Sequence, residues 1–402
     1  MSQKVAIVVQ RYGPKVVGGG ELLTREVAEH LHTMLGWDID VYTTTAQDYM
    51  TWANVFPAGE EVINGVRVLR FNSSLQRFKY FGLYDRLTAK LLRRLRRHSA
   101  TRFLALILEM IWIWLQGPYC PALIQALDNN AEKYRKIIFV TYLYYPTLAG
   151  IKKHRDKAIL IPLAHDEHAF HFTIVEQMLR SVPSMITNTP PETQLIKSKL
   201  GRATPVIDQA GVGFNADAYI PESRKSGDQP YILYLGRISA GKGVAQLVDW
   251  FNRLDSDPRF AGLKLRLAGH LEDSVKIPNN PRFEYLGYVD EKTKLQLMQN
   301  ATVLVNPSAH ESLSLIVIEA FALKIPVLVN KHCEVLHHYT KVVKTAFEFG
   351  DQVSFADNLH QIIATDWQSH AHQVDLEESR QWALDTFSWQ RIASVYQKHV
   401  AL

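Results

Sequence analysis

The sequence predicts an α/β protein made of two doubly wound, parallel-sheet domains in tandem. Short apolar runs recur along both halves, separated by segments of helical period. A polar stretch at residues 215–230 parts the halves. The length of 402 residues also exceeds what one core usually organises; two domains of roughly 150–200 residues are the natural division.

Bulk composition narrows the function classes. Hydrophobic residues make up 47% and charged residues 21%, as in an ordinary soluble globular chain. A formal charge of +5 is too small to imply nucleic-acid binding. The two cysteines, Cys120 and Cys333, lie far apart in no metal-like spacing, which fits a reducing, cytoplasmic compartment. The first apolar run, Val5-Ala6-Ile7-Val8-Val9, is too short for a signal peptide and reads as a buried strand.

That run is followed by a loop containing Gly13, Pro14, Gly18, Gly19 and Gly20. Leu23, Val27, Leu31 and Leu35 then recur every four residues, one face of a helix. Ile39 to Thr43 is the next strand, and Asn64-Gly65 between two apolar runs marks a tight hairpin. Strands resume at residues 137–140, 159–161, 185–187 and 206–207. The first domain thus covers residues 1–215.

Residues 75–135 interrupt the βα rhythm. From Arg86 to Arg102 there are seven cations and no acid: Arg86, Lys90, Arg93, Arg94, Arg96, Arg97 and Arg102. Leu87, Leu91 and Leu95 lie four apart, so this stretch reads as a basic amphipathic helix. It runs into an apolar segment, 103–115, broken by Glu109 and too short to span a bilayer, which needs about 20 residues. Two readings stand: a helical insertion with a solvated basic face, or a surface, 86–102, that touches anionic lipid on the inner face of a membrane.

After a linker at 216–230, a second βα series runs from Ile232 through Leu265, Phe283, Val303 and Val327, giving a domain at 231–386. A terminal helix, 387–402, carries Trp389, Ile392, Tyr396 and Val400 on one side.

Two motifs in the second domain carry chemistry. In Leu235-Gly236-Arg237-Ile238-Ser239-Ala240-Gly241-Lys242-Gly243 a strand ends and a helix begins. Glycines let the backbone approach a ligand, and two cations sit at the carboxyl end of a strand, where open α/β sheets bind ligands. A diphosphate suits that spot, although an ordinary turn with solvated basic residues has the same composition. The P-loop pattern is absent.

The other motif runs from Asn306 to Ala320. Glu311 lies in a loop and Glu319 eight positions on, an offset that on a helix is about 12 Å along the axis. Two acids so placed grip two parts of one long ligand rather than one metal ion. Ser312, Leu313 and Ser314 offer backbone N–H groups at the helix start. Ile316, Val317, Ile318, Ala320, Phe321 and Ala322 surround Glu319, which argues against a solvated face.

In order, Gly236-Arg237, Lys242-Gly243, Glu311-x7-Glu319, Glu319-Ala320-Phe321-Ala322 and Pro326-Val327 resemble the retaining GT-B glycosyltransferases of family 4, of the cell-surface polysaccharide and O-antigen type. Gly18-Gly19-Gly20-Glu21 resembles that family's donor-facing glycine loop. The likeness covers most of residues 1–71, 137–219 and 230–400 and leaves out the insertion. Position 324 is Lys where the family commonly has Gly, a departure that bears on loop shape.

The resemblance implies two Rossmann-like domains facing a central cleft, with the terminal helix crossing back to the first. It implies transfer of a hexose from a GDP- or UDP-sugar to a carbohydrate or lipid-linked glycan, with no resident cofactor and no metal. Arg237 and Lys242 would bind the diphosphate, Glu311 the hydroxyls of the transferred sugar, and Glu319 the ribose. Tyr288 and Val289 would border the base. His165 stands where the family places a histidine near the transferred sugar, with His168 and His171 as neighbours. The donor set is Gly18, Gly19, Gly20, Arg237, Lys242, Tyr288, Val289, Glu311, Ser312, Leu313, Ser314 and Glu319; the catalytic set is His165, Glu311, Arg237 and Lys242. The rival readings are an inert homologue acting as a regulatory subunit and a nucleotide-sugar epimerase.

Overall fold

A computed structural model of the chain describes residues 3–16, 18–96, 99–201, 204–221 and 229–402. Arg97 and the linker residues 222–228 lie outside the described residues. The chain divides into two compact units, one formed by Met1–Gly213 with Trp389–Leu402 and the other by Phe214–Ser388.

The first unit holds an eight-stranded sheet of β1 (Lys4–Val8), β2 (Asp38–Thr44), β3 (Gly59–Ile63), β4 (Val66–Phe71), β5 (Lys136–Val140), β6 (Ala158–Ile161), β7 (Ser184–Thr187) and β8 (Val206–Gln209). Its order is β3-β4-β2-β1-β5-β6-β7-β8, parallel throughout except for the hairpin β3–β4. Asn64 (φ 48°) and Gly65 (φ 84°) close that hairpin in the left-handed region, where Asn and Gly are the least strained residues. The strands read as continuous apolar runs because helices cover both faces: Val5 to Val8 and Ile137 to Val140 are all buried.

The second unit holds a six-stranded, all-parallel sheet: β9 (Tyr231–Leu235), β10 (Lys264–Ala268), β11 (Phe283–Gly287), β12 (Val303–Asn306), β13 (Val327–Asn330) and β14 (Ala346–Phe349). The order is β11-β10-β9-β12-β13-β14. It reverses direction between β9 and β12, so the crevice beyond their carboxyl ends is the ligand position of an open α/β sheet. The two chemistry-bearing motifs follow those two strands.

Three helices fill the insertion: Phe81–Leu95, Arg102–Gln116 and Pro121–Asn130. Their inner faces join the first unit's core through Phe81, Leu92, Ala105, Trp112 and Leu123. The leucine spacing is misleading about which face is inside. Leu87 is 67% exposed and Leu91 45%, while Thr88 and Leu92 are buried. The true inner stripe is Phe81, Tyr84, Thr88 and Leu92, whose threonine conceals it from an apolar count. No helix among the described residues is long and apolar enough to cross a membrane.

The helix Trp389–Ala401 belongs to the first unit. Trp389 stacks on His30 with ring centroids 3.8 Å apart, and Arg135 Nε donates to the carbonyl of Val400 at 2.8 Å. Lys398 and His399 both meet Asp208, at 2.6 and 2.9 Å. Within the stretch read as linker, Tyr219 is buried in the second unit, where Arg380 donates to its carbonyl at 2.6 Å.

Candidate functional site

In the second unit, backbone glycines press the loops together. Gly243 has φ 74°, and a Cβ on it would lie 2.3 Å from the carbonyl oxygen of Pro307. The turn after β9 therefore rests directly on the loop after β12. As a result Lys242 Nζ stands 2.8 Å from Glu311 Oε1, with 28% and 17% of the two side chains exposed. Arg237 is more open and lies 3.6 Å from Glu272. Gly269 donates to Gly287 O at 2.7 Å, and a Cβ on Gly269 would meet Gly236 O at 1.9 Å. The ends of β11, β10 and β9 thus converge, and Tyr288 and Val289 follow from β11. Tyr288 is 77% exposed, free to lie along a flat ligand.

The loop bearing Glu311 is rigidly held. Asn306 Nδ2 donates to Ser314 Oγ at 2.8 Å and its Oδ1 accepts from Ser308 N at 3.0 Å. Asn330 Nδ2 donates to Pro307 O at 3.0 Å, and Tyr339 Oη to Leu313 O at 2.5 Å. Ser314 takes a left-handed φ of 61° to start the helix Leu315–Ala322. Glu311 therefore precedes the helix by four residues, and the helical rise does not set its separation from Glu319. The first N–H groups of that helix have no partner within it, which suits an anion at residues 312–314.

Glu319 is buried, and its carboxylate is already engaged. Tyr219 Oη donates to it at 2.7 Å, and Lys294 Nζ approaches both oxygens at 3.0 Å. Lys294 also pairs with Glu291 at 2.6 Å. Burial raises the Glu319 pKa against the pull of Lys294 and Tyr219. For Lys294, burial disfavours the charge, but Glu319 and Glu291 outweigh it and hold the pKa above its ordinary value. A carboxylate has about four lone-pair positions, so Glu319 retains capacity for hydroxyl donors. Sequence reasoning missed both partners: Lys294 sits on a helix of low apolar content, and Tyr219 stood in the stretch read as linker.

The first unit assembles the other predicted residues. Gly19 and Gly20, expected in a loop, open the helix Gly19–Leu35, and a Cβ on Gly20 would lie 2.6 Å from Leu163 Cδ1, so this helix start abuts the loop that carries His165. Gly19 has open space, and a Cβ on Gly18 would meet Glu21 Oε2 at 2.1 Å. Glu21 is buried between Arg11 (2.7 Å) and Gln10 (3.0 Å), fixing the loop from inside. His165 Nε2 lies 3.3 Å from Glu167, which also accepts from Tyr142 Oη. His171 pairs with Asp166 at 2.6 Å, and burial lowers the pKa of His168, whose ring packs edge-on against Phe172. Tyr142 and Trp52 are buried.

Glu192 underlies the His165 loop. Its oxygens accept from Ala164 N at 2.6 Å and Asn188 N at 2.7 Å. Burial pushes its pKa up to about 7, opposed by those N–H groups and by His165. The folded state thus holds the proton more tightly than the unfolded state. This group's contribution to stability is undiminished below pH 4.5 and declines as pH rises through about 7. The decline should approach about 3 kcal/mol. Urea unfolding of wild type and Glu192→Gln at about pH 5 and about pH 8 checks this. A stability difference equal at both ends would refute it.

No group of three or more His, Cys, Asp or Glu among the described residues is arranged to hold a metal ion. The charges on offer are Arg237 and Lys242.

Residues 215–379 match the family described as Glycosyl transferases group 1. An uncharacterised glycosyltransferase of Methanocaldococcus jannaschii is 22% identical over 174 residues, which are 41% of this chain and 43% of that protein. The chain therefore matches less than half the length of this curated relative. Among solved structures, sucrose-phosphate synthase of Thermosynechococcus elongatus superposes with a TM-score of 0.72 at 17% identity, covering 99% of both chains. HepE of Anabaena, in complex with UDP and glucose, superposes with a TM-score of 0.64 at 15% identity, again over 99% of both. The chain has the GT-B fold of these structures, and within it residues 215–379 are similar to the group 1 glycosyl transferases.

Proposed function

We propose that the protein is a retaining glycosyltransferase that moves a hexose from a nucleotide diphosphate sugar to a carbohydrate or lipid-linked glycan in cell-surface polysaccharide synthesis. The observation that carries this reading is the Lys242–Glu311 pair at the switch point of the second sheet. It sets a cation for a diphosphate beside a carboxylate for sugar hydroxyls. The solved UDP complex of HepE favours UDP over GDP as the nucleotide.

Charge dictates the chemistry. As the bond from sugar to phosphate breaks, negative charge grows on the leaving diphosphate. Arg237, Lys242 and the N–H groups at 312–316 are fixed in advance where that charge develops, which stabilises the transition state more than the ground state. Glu311 orients the sugar and Glu319 the ribose. In front-face retention a leaving phosphate oxygen takes the acceptor's proton, so no separate base is required. His165 is the catalytic histidine of this proposal. The basic segment 86–102 fits a peripheral position on an anionic membrane.

Fixed cations replace a divalent ion here, so activity should be unchanged by EDTA. Loss of turnover on chelation, restored by magnesium or manganese, would show that the cations do not suffice. The donor is tested by thermal shift against UDP, GDP, ADP and dTDP and their sugars. A ligand at 100 times its dissociation constant adds about 2.7 kcal/mol. Stabilisation of wild type by one nucleotide, lost in Lys242→Ala and Glu319→Ala, supports the reading. No stabilisation by any of them favours the inert homologue.

A further inference from the structure

The helix Arg102–Gln116 reverses the usual arrangement of a surface helix. Its outward side chains are Phe103, Leu104, Ile107, Met110, Ile111 and Trp114, an apolar face over three turns. Phe103 is 73% exposed, Leu104 49% and Trp114 46%. Its one carboxylate, Glu109, points inward: none of that side chain is exposed, and it accepts from Ile174 N at 3.0 Å beneath Arg96.

The neighbouring helix Phe81–Leu95 does the same. Its one acid, Asp85, accepts from Trp112 Nε1 of the first helix at 2.8 Å. Leu83, Leu87 and Leu91 form its exposed stripe. At about 100° per residue, Lys90 and Arg94 lie within about 60° of Leu87, with Arg86 and Arg93 beyond them on the same side.

We propose that these two helices seat the protein in one leaflet of an anionic bilayer. The helix Arg102–Gln116 lies in the interface plane with Phe103, Met110 and Trp114 among the acyl chains. Arg86, Lys90, Arg93 and Arg94 meet the lipid phosphates. Fifteen residues cannot span the hydrocarbon, and an in-plane helix with an apolar face and adjoining cations has the character of a monotopic anchor. A second copy is a poor occupant: two-fold packing through this face would set the four cations against their own images. This inference adds apolar insertion to the electrostatic contact proposed above and does not depend on the donor chemistry.

The test is flotation of the full chain with vesicles of phosphatidylglycerol and phosphatidylcholine, and of phosphatidylcholine alone. Wild type should float with the anionic vesicles. The variant Phe103→Ser/Met110→Ser/Trp114→Ser should lose on the order of a hundredfold in partitioning. A second variant, with Arg86, Lys90, Arg93 and Arg94 changed to Gln, should lose the preference for anionic over neutral vesicles. Circular dichroism and the thermal unfolding midpoint should be unchanged in both, which separates loss of membrane binding from loss of the fold. The proposal is overturned if wild type floats with neither vesicle, or if the triple-serine variant floats like wild type. It is equally overturned if the apolar face instead holds a dimer, seen as a halved mass in the triple-serine variant with no flotation by either form.

Discussion

Replacing Lys242 with methionine should lower kcat/KM by about a thousandfold, with stability little changed. In the proposed reaction the ammonium faces charge that develops in the transition state, and removing one such fixed donor costs about 10²–10³ in rate. The stability effect is small because the pair is partly exposed, with 28% of Lys242 and 17% of Glu311 open to water. A companion variant sharpens the argument. Glu311 pairs with Lys242, the cation assigned to the diphosphate in the proposed function. Glu311→Gln should therefore bind free UDP at least as tightly as wild type while losing turnover. The two readouts are single-turnover kinetics and calorimetric titration with UDP. Equal weakening of UDP binding in both variants would place Glu311 on the nucleotide rather than the sugar.

The largest effect on stability should come from Lys294→Met. The substitution leaves the Glu319 carboxylate buried with Tyr219 as its only neutral partner. Stranding one member of a buried ion pair costs about 3–5 kcal/mol. For a unit of this size that lowers Tm by on the order of 10 °C. Two controls identify the cause. Lys294→Met combined with Glu319→Gln should recover most of the loss, because the unpaired charge is gone. The defect of the single variant should also shrink as pH falls, since protonating Glu319 removes the same charge. A deficit independent of pH and not relieved by Glu319→Gln would mean that Lys294 acts through packing of its stem.

The alternation of strand and helix was legible because buried parallel strands are written as unbroken apolar runs. The two loops at the switch point of the second sheet were legible for the same reason: Gly236-Arg237 follows the run ending at Leu235, and a polar loop with Glu311 follows the run ending at Asn306. What the sequence conceals is the partner of each group. Nothing in the spacing from Tyr219 to Lys294 to Glu319 indicates that they meet, because one turn and two separate helices bring them together. Periodicity likewise reports that a stripe exists, not which way it faces. In the helix Phe81–Leu95, Leu87 and Leu91 are outside while Leu95 packs against the core, and the inner stripe includes a threonine. Lys324 shows the converse: a residue standing where glycine is common still adopts φ 60°, and its ammonium reaches Glu377 at 2.5 Å across the turn. The altered position keeps the backbone shape that glycine would provide.

The placement of the helix Trp389–Ala401 has a consequence for biogenesis. The first-synthesised unit is covered by a segment that follows the whole of Phe214–Ser388 in the chain. Until that segment is made, His30, Arg135, Ser184 and Asp208 lack their native partners. The nascent polypeptide must then hold an unfinished outer unit while the inserted one, which is continuous in sequence, folds to completion. Order of maturation is thus inverted relative to order of translation: the unit begun first is completed only after the inserted unit has been made.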